Sequence, residues 1–466
     1  MKTEYDVIIV GGGPAGLFAA LELSQSSNLR VLLLEKGKDI DGRRCPIQEK
    51  GGTCPPCDPC SMTSGLGGAG AFSDGKLTLS PQVGGRLQEY VGLEETQRLV
   101  DYVDSVYLKF GARDQVYGVG DEVDTLRHRA SLAGLRLISV PIRHLGTERA
   151  REVLKAMRDH LANRVELGLR RAATRLLVDG GVATGVETDD GQSLRATSVI
   201  VAPGREGADW LVQQAHRLDL TLHNNPVDVG VRVEVPALVL EELTRVLFES
   251  KLIYYTRSFN DQVRTFCMCP HGEVTTESTG GSDPVTTVNG HSYADRQTEN
   301  TNFALLVSIS FTEPFREPIA YGRYLARLAN LLGSGVLVQR LGDLVEGHRS
   351  TRERIERGRV IPTLPSATPG DLSFVLPYRH LTDIVEMLQA MDRLAPGVAS
   401  PHTLLYGIEV KFYSARLELS PGLETEVANL YAAGDGAGVS RGLIQASASG
   451  VVAARQILSR QLIAKA

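Results

Sequence analysis

The chain has 466 residues, 42% of them hydrophobic and 23% charged, with a formal net charge of −5. That length accommodates two or three domains of ~150 residues, and the mild acidity argues against nucleic acid or an anionic membrane surface as a partner. No run of 18 apolar residues occurs, so no membrane-spanning helix is expected. Met1-Lys2-Thr3-Glu4-Tyr5 runs straight into the first predicted strand, leaving no room for a signal peptide, so the expected location is cytoplasmic.

The chain opens on residues 7–10, an all-apolar run of the kind buried on both faces of a parallel sheet. Gly11, Gly13 and Gly16 then form G-x-G-x-x-G, followed by Pro14, Ala15 and a stretch of helical character. In such a turn the first glycine permits the tight bend, the second lets backbone approach a pyrophosphate, and the third lets helix pack on strand. A second strand, residues 30–34, ends in Glu35, 19 residues after Gly16, where a carboxylate can accept ribose hydroxyls. Strand, glycine turn, helix, strand and acid in this register predict a site for the adenine end of a dinucleotide.

Next comes a polar connection containing Lys36, Arg43 and Cys45-Pro46, then a cysteine-proline loop, Cys54-Pro55-Pro56-Cys57-Asp58-Pro59-Cys60. Its prolines disfavour regular structure. It leads into Gly65-Leu66-Gly67-Gly68-Ala69-Gly70-Ala71-Phe72-Ser73-Asp74-Gly75-Lys76, where glycines this dense point to turns or to backbone passing close to something bulky. Helical periodicity covers residues 94–110 and 148–163, the second helix having Thr147 as its expected N-cap. Three β runs follow, at 165–169, 174–178 and 185–188, with turns at Asp179-Gly180-Gly181 and Asp189-Asp190-Gly191 as in an antiparallel meander. The meander feeds a buried strand ending in Ala202-Pro203-Gly204. From 216 to about 395, strands such as 227–235 and 263–268 alternate with polar loops and with helices near 317–332 and 380–393. The last segment, Leu430-Tyr431-Ala432-Ala433-Gly434-Asp435-Gly436-Ala437-Gly438, repeats the pattern of strand, small turn and helix.

These elements resemble the FAD-binding flavoproteins of the glutathione-reductase type, in the branch with geranylgeranyl reductases and aromatic hydroxylases. The resemblance covers residues 5–36, 147–204 and 429–456. It implies an α/β, Rossmann-like FAD-binding domain, a parallel sheet plus a meander, built discontinuously from 1–80, 147–215 and 396–466. An α+β substrate domain, 81–146 and 216–395, is inserted into it. It implies non-covalent FAD held by the opening turn, passed by Ala202 and Gly204, with Asp435 of the Gly434-Asp435 pair accepting ribityl hydroxyls. A helix beginning near Gly438 would direct its positive end at the flavin. A narrower resemblance, carried by Arg43-x-Cys45-Pro46, the cysteine loop, residues 67–76 and Asp228-Val229-Gly230-Val231-Arg232, is to a group known only as FAD-dependent dehydrogenases. By position, Arg43 would pair with a cofactor phosphate or ribose, while Gly68, Ala69, Gly70 and Lys76 would lie near the flavin. For Lys76 a solvated turn is the competing reading.

The expectation is therefore an FAD oxidoreductase, dehydrogenase or reductase, moving a hydride or electron pair between flavin and a small organic molecule. A monooxygenase direction stays open. There is no second G-x-G-x-x-G for a separate nicotinamide domain, although NAD(P)H remains open as co-substrate, and no hydrolase motif occurs. A non-catalytic, redox-sensing flavoprotein is the alternative from another class. Cys45, Cys54, Cys57 and Cys60 admit three readings: an iron–sulfur or zinc site, a redox dithiol beside FAD, or thiols that merely stiffen a loop. Cys267 and Cys269 are expected on one strand face, packing. Arg127-His128-Arg129 reads as a solvated face and His271 as a satisfied loop histidine.

Overall fold

A strand without a polar side has to be covered on both faces, and β1 (Glu4–Val10) is: Val7, Ile8 and Ile9 are fully buried. The computed structural model describes residues 3–26, 28–45, 57–223, 227–278, 284–293, 296–308, 317–333, 335–411 and 415–465. After β1 come α1 (Pro14–Ser26) and β2 (Val31–Glu35), and the two strands pair in parallel, Val7 opposite Val31. Helix α2 (Thr147–Leu161) turns Ala150, Val153, Leu154, Met157 and Leu161 into the core. It starts at Thr147 itself. Gly146, at φ 78°, takes the N-cap position with no side-chain cap, so the expected threonine cap is corrected.

The run expected to open the meander is instead β3 (Glu166–Leu169), a parallel edge strand beside β2. A strand reached through a helical crossover returns in the same direction as its neighbour. The meander proper is β4 (Ala173–Asp179), β5 (Val182–Thr188) and the first half of β6 (Ser193–Val201). Along its length β6 also pairs in parallel with β1, and its second half with β7 (Leu430–Ala432). The result is a mixed α/β, Rossmann-like sheet of seven strands. Helix α3 (Leu443–Lys465) closes against α1, with Gly450 so near Ala15 that a Cβ would run into its carbonyl oxygen. The helix begins at Leu443, as the sequence predicts, and not near Gly438 as the resemblance implies, because Gly438, at φ 74°, caps a short 3-10 turn, Asp435–Ala437.

These elements belong to the first of two compact units, Met1–Gln115, Arg143–Asn225 and Tyr413–Ala466; the second is Val116–Ile142 with Pro226–Phe412. Residues 81–115 fold with the first unit because the helix Leu93–Lys109 packs Leu99, Val100 and Val103 into its core. Residues 396–412 fold with the second because they supply the strand Leu404–Lys411.

The second unit is built on an eight-stranded sheet centred on the strand Asp228–Pro236, which pairs antiparallel with Asn300–Ser308 and Leu404–Lys411. Its odd positions, Val229, Val231, Val233 and Val235, enter an apolar core with residues of the helices Ala237–Leu247 and Tyr378–Leu394. Its even positions carry Asp228, Arg232 and Glu234 to the other face, as the period of two requires. The strand Gln262–Cys269 bulges between Phe266 and Cys269, with Cys267 at φ 45°. Simple alternation therefore fails at the two cysteines.

On the helix Tyr378–Leu394, His380 and Asp383 lie one turn apart and are buried, with Thr256 and Asp261 beside the Asp383 carboxyl. Burial, reinforced by the neighbouring Asp261, pushes the Asp383 carboxyl up to about 6, and burial pushes His380 down to about 4. Asp261 itself is held low by two hydrogen bonds from Arg379, 2.5 and 2.7 Å. Between about pH 4 and 6 native Asp383 keeps a proton the unfolded chain has released, so its contribution to stability falls as pH rises; that of His380 grows. Asp383→Asn should thus match the parent in chemical denaturation near pH 4 and exceed it by roughly 1–3 kcal/mol above pH 7. A variant less stable than the parent above pH 7 contradicts this account.

Candidate functional site

The three glycines after β1 have different reasons to be glycine. At Gly11, φ 106°, a Cβ would run into the Ala202 carbonyl, and at Gly16 into the Gly11 carbonyl. Packing of β1 on β6 and of α1 on β1 demands both. Packing does not demand Gly13: a Cβ there would meet nothing nearer than Gly68 Cα at 3.8 Å, and its φ is not in the left-handed region. The space in front of Gly13 adjoins the first turn of α1, whose N–H groups favour an anion. Pro14 occupies the first helical position, and Ala15, Ala202 and Ala433 form a small cluster where α1, β6 and β7 meet. A diphosphate fits this cradle on the protein's own geometry.

Glu35 closes the cradle from β2. Its Oε2 accepts the Gly12 N–H at 2.8 Å, and Oε1 accepts those of Gly37 and Gly65 at 2.8 and 2.9 Å. Three donors on one carboxylate leave about one acceptor position for a ribose hydroxyl. Glu35 is therefore also a structural tie between β2, the glycine turn and the following loop. Beside it, Lys36 Nζ lies 3.9 Å from Glu206.

The structure gives Arg43 another use than the expected phosphate or ribose. It is 1% exposed; Nε donates to the Ser61 carbonyl at 2.9 Å, Nη1 to Leu66 and Gly68 at 2.8 Å each, and Nη2 to Met62 at 2.9 Å. The Phe72 ring lies 4.7 Å from the guanidinium carbon. Burial lowers Arg43 to about 10, so it remains a cation at neutral pH. It organises the loop because one guanidinium can satisfy several inward-facing carbonyls.

The close approach signalled by the glycine run is backbone on backbone. Gly67 N–H donates to Gly12 at 2.8 Å, and a Cβ on Gly68 would sit 2.9 Å from Gly13 Cα. Gly70 faces Leu443, and Ala69 lies half-buried in the 3-10 turn Gly68–Phe72. Lys76 is not a solvated turn residue: its side chain is 10% exposed and pairs with Asp74 at 3.0 Å. Cys45 and Cys60 are half-buried and Cys57 exposed, all outside disulfides, whereas Cys54 lies outside the described residues. Among the described residues no three His, Cys, Asp or Glu side chains are grouped to hold a metal.

At the other end of the cradle, Gly434, φ 78°, donates its N–H to Ser449 Oγ at 2.9 Å. Asp435 Oδ1 accepts from Ser440 Oγ at 2.6 Å. No other hydrogen bond reaches its carboxylate among the described residues, so an oxygen is available to a ribityl hydroxyl. Gly204, φ 64°, has open space where a Cβ would stand. Sequence reasoning missed Ser440, Gln445 and Ser449; the available signal was polar side chains in a stretch of otherwise small and apolar residues. Elsewhere Arg127 pairs with Asp124 and Arg129 with Glu242, and His271 Nδ1 lies 3.0 Å from the Thr298 carbonyl oxygen.

Gly13→Val should keep the apo fold, its melting temperature within a few degrees of the parent, while losing FAD binding in a fluorescence titration. Gly16→Ala should be destabilised by several kcal/mol, as expected for overpacking against backbone. Retention of stoichiometric FAD by Gly13→Val would count against the cradle.

Comparison with known proteins supplies the cofactor and the class of reaction. Residues 226–412 match the model for the C-terminal domain-like region of FAD-dependent proteins, and residues 5–55 that for pyridine nucleotide-disulphide oxidoreductases. An uncharacterized protein of Clostridium beijerinckii is 27% identical over 483 aligned positions, covering 97% of this chain and 80% of the relative. Among solved structures, glycine oxidase from Geobacillus kaustophilus has a TM-score of 0.40 at 13% identity, covering 98% of this chain and 95% of that one. L-Amino acid deaminase from Proteus myxofaciens has 0.39 at 12%, covering 99% and 91%. Such scores are too low to inform this chain. No helix among the described residues is long and apolar enough to cross a membrane. The two family models match the segment that carries the opening glycine turn and residues 226–412 of the second unit; on these matches the protein is an FAD-dependent oxidoreductase with FAD as its cofactor.

Proposed function

We propose that this enzyme passes a hydride between non-covalently bound FAD and a small organic acid. The observation that carries the substrate class is Phe266. Its half-buried ring has the Arg264 guanidinium carbon 5.6 Å from the centroid and Lys411 Nζ at 5.9 Å. Behind them Arg232, fully buried, donates from Nη1 to both Glu409 oxygens at 3.2 Å, and Lys411 shares Glu409 at 2.9 Å. Arg264 pairs with Asp228. Burial acts to lower Lys411, but the Glu409 carboxylate, with Glu277 and Cys267, outweighs it and keeps the ammonium charged. An apolar ring within 6 Å of two cations suits a carboxylate carried on an apolar body.

In this reading Gly13, Glu35 and Asp435 hold the cofactor, and Arg264, Phe266 and Lys411 supply the second unit's affinity for a carboxylate. Bound FAD supplies the hydride acceptor or donor. The five described cysteines, all outside disulfides, support a reducing, cytoplasmic setting.

Anaerobic rapid mixing with hydroxy, amino and enoyl carboxylates, their neutral amides, NADH and NADPH tests substrate class and direction together. A carboxylate should bleach the flavin directly, or reoxidise it after reduction by NAD(P)H, and its amide should do neither. Lys411→Met should raise the half-saturating concentration about 10-fold or more, as loss of a charged hydrogen bond implies, with a smaller change in limiting rate. Equal reaction of amide and acid would contradict the proposal.

A further inference from the structure

The turn that carries Asp435 is held by a segment far earlier in the chain. Gln445, 1% exposed, uses its whole amide on that segment: Nε2 donates to the Pro81 and Val83 carbonyls at 3.0 and 3.1 Å, and Oε1 accepts the Leu87 N–H at 3.2 Å. The backbones interlock as well. Arg86 N–H donates to Val439 at 2.9 Å, Arg441 N–H to Gly84 at 2.8 Å, and Gly85 bridges Ser440. A Cβ on Gly85 would collide with Gln445 Oε1 and lie 2.8 Å from Ser440 Cα, so only glycine lets the two stretches meet. The same Ser440, 2% exposed, holds Asp435 Oδ1.

We propose that residues 81–87 form a clasp that retains FAD by fixing Asp435, with Gly85, Ser440 and Gln445 as positioning residues for the cofactor. Asp435 lies in a short 3-10 turn and is half-buried. Without support from the clasp side, its carboxylate would have to be ordered by the ligand, at a cost that weakens binding. With Ser440 locked between Gly85 and Asp435, that ordering is complete before FAD arrives. Because binding couplings are reciprocal, FAD in turn stabilises the seated clasp. The inference rests on the reading that Asp435 accepts a hydrogen bond from FAD.

The test combines amide hydrogen exchange with a double-mutant cycle on the full-length protein. In the parent, adding FAD to the apo protein should slow exchange at the Arg86 and Leu87 amides by about 10-fold or more. Gln445→Leu should abolish that protection and raise the Kd for FAD about 10-fold in the parent, yet have little further effect in an Asp435→Asn background, because the two changes remove one interaction. Equal weakening in both backgrounds, or no weakening, overturns the proposal. An unchanged Kd in Asp435→Asn alone would refute the assignment of Asp435, and unchanged exchange at residues 86 and 87 would refute the clasp separately. Ser440→Ala, which leaves the Gln445 contacts in place, serves if Gln445→Leu fails to fold; it should give the same non-additivity with Asp435→Asn, and additive effects overturn the proposal.

Discussion

The first unit depends on backbone lying directly against backbone. Gly11 is pressed on Ala202, Gly16 on Gly11, Gly436 on Gly204 and Gly450 on Ala15, each at a separation that leaves no room for a Cβ. These contacts draw together the ends of β1, β6 and β7 and the first turn of α1. Where bulky side chains would otherwise fill the junction stand Ala15, Ala202 and Ala433. Such a junction of parallel strand ends is where open α/β sheets bind ligands. Gly13 is informative against this background because it lacks a packing reason of its own.

The second unit solves a different problem, that of charged groups inside a sheet. Glu234 is fully buried and accepts from Asn300 at 3.1 Å, Thr363 Oγ1 at 2.5 Å and Tyr406 at 2.5 Å; burial pushes its carboxyl up. Arg232 meets Glu409, Asn302, the Cys267 carbonyl and Cys269 Sγ. Removing one member of such a network strands its partners without hydrogen bonds, which costs more than the intact network contributes. The valines on the opposite face pack against the helices, while this face keeps its charged groups beneath the strand Thr286–His291, whose Gly290 lies directly against the Arg232 guanidinium.

The opening strand, turn, helix and second strand were legible because each signal is local: an apolar run, three glycines and an acid. The late Gly434-Asp435 turn was legible for the same reason. The end of β2 at Glu35 was legible, but not its ties to Gly37 and Gly65, since those donors come from loops whose closure no local pattern encodes. Arg43 illustrates the same limit, for an arginine in a polar connection reads as a ligand contact until the loop 61–68 folds its carbonyls around it. Thr147 lost the cap position to a left-handed Gly146, the 165–169 run left the meander because a helix delivers it, and the bulge at Cys267 broke the alternation. Gln445 and residues 81–87 were illegible as a pair, since their hydrogen bonds join parts of the chain more than 350 residues apart.

The most direct test of the account is the flavin content of the purified protein, measured by absorbance before and after denaturation. The account predicts one FAD per chain, released intact on denaturation and regained when the stripped protein is mixed with FAD. A correctly folded protein that carries no flavin, and takes up none at micromolar FAD, would contradict it.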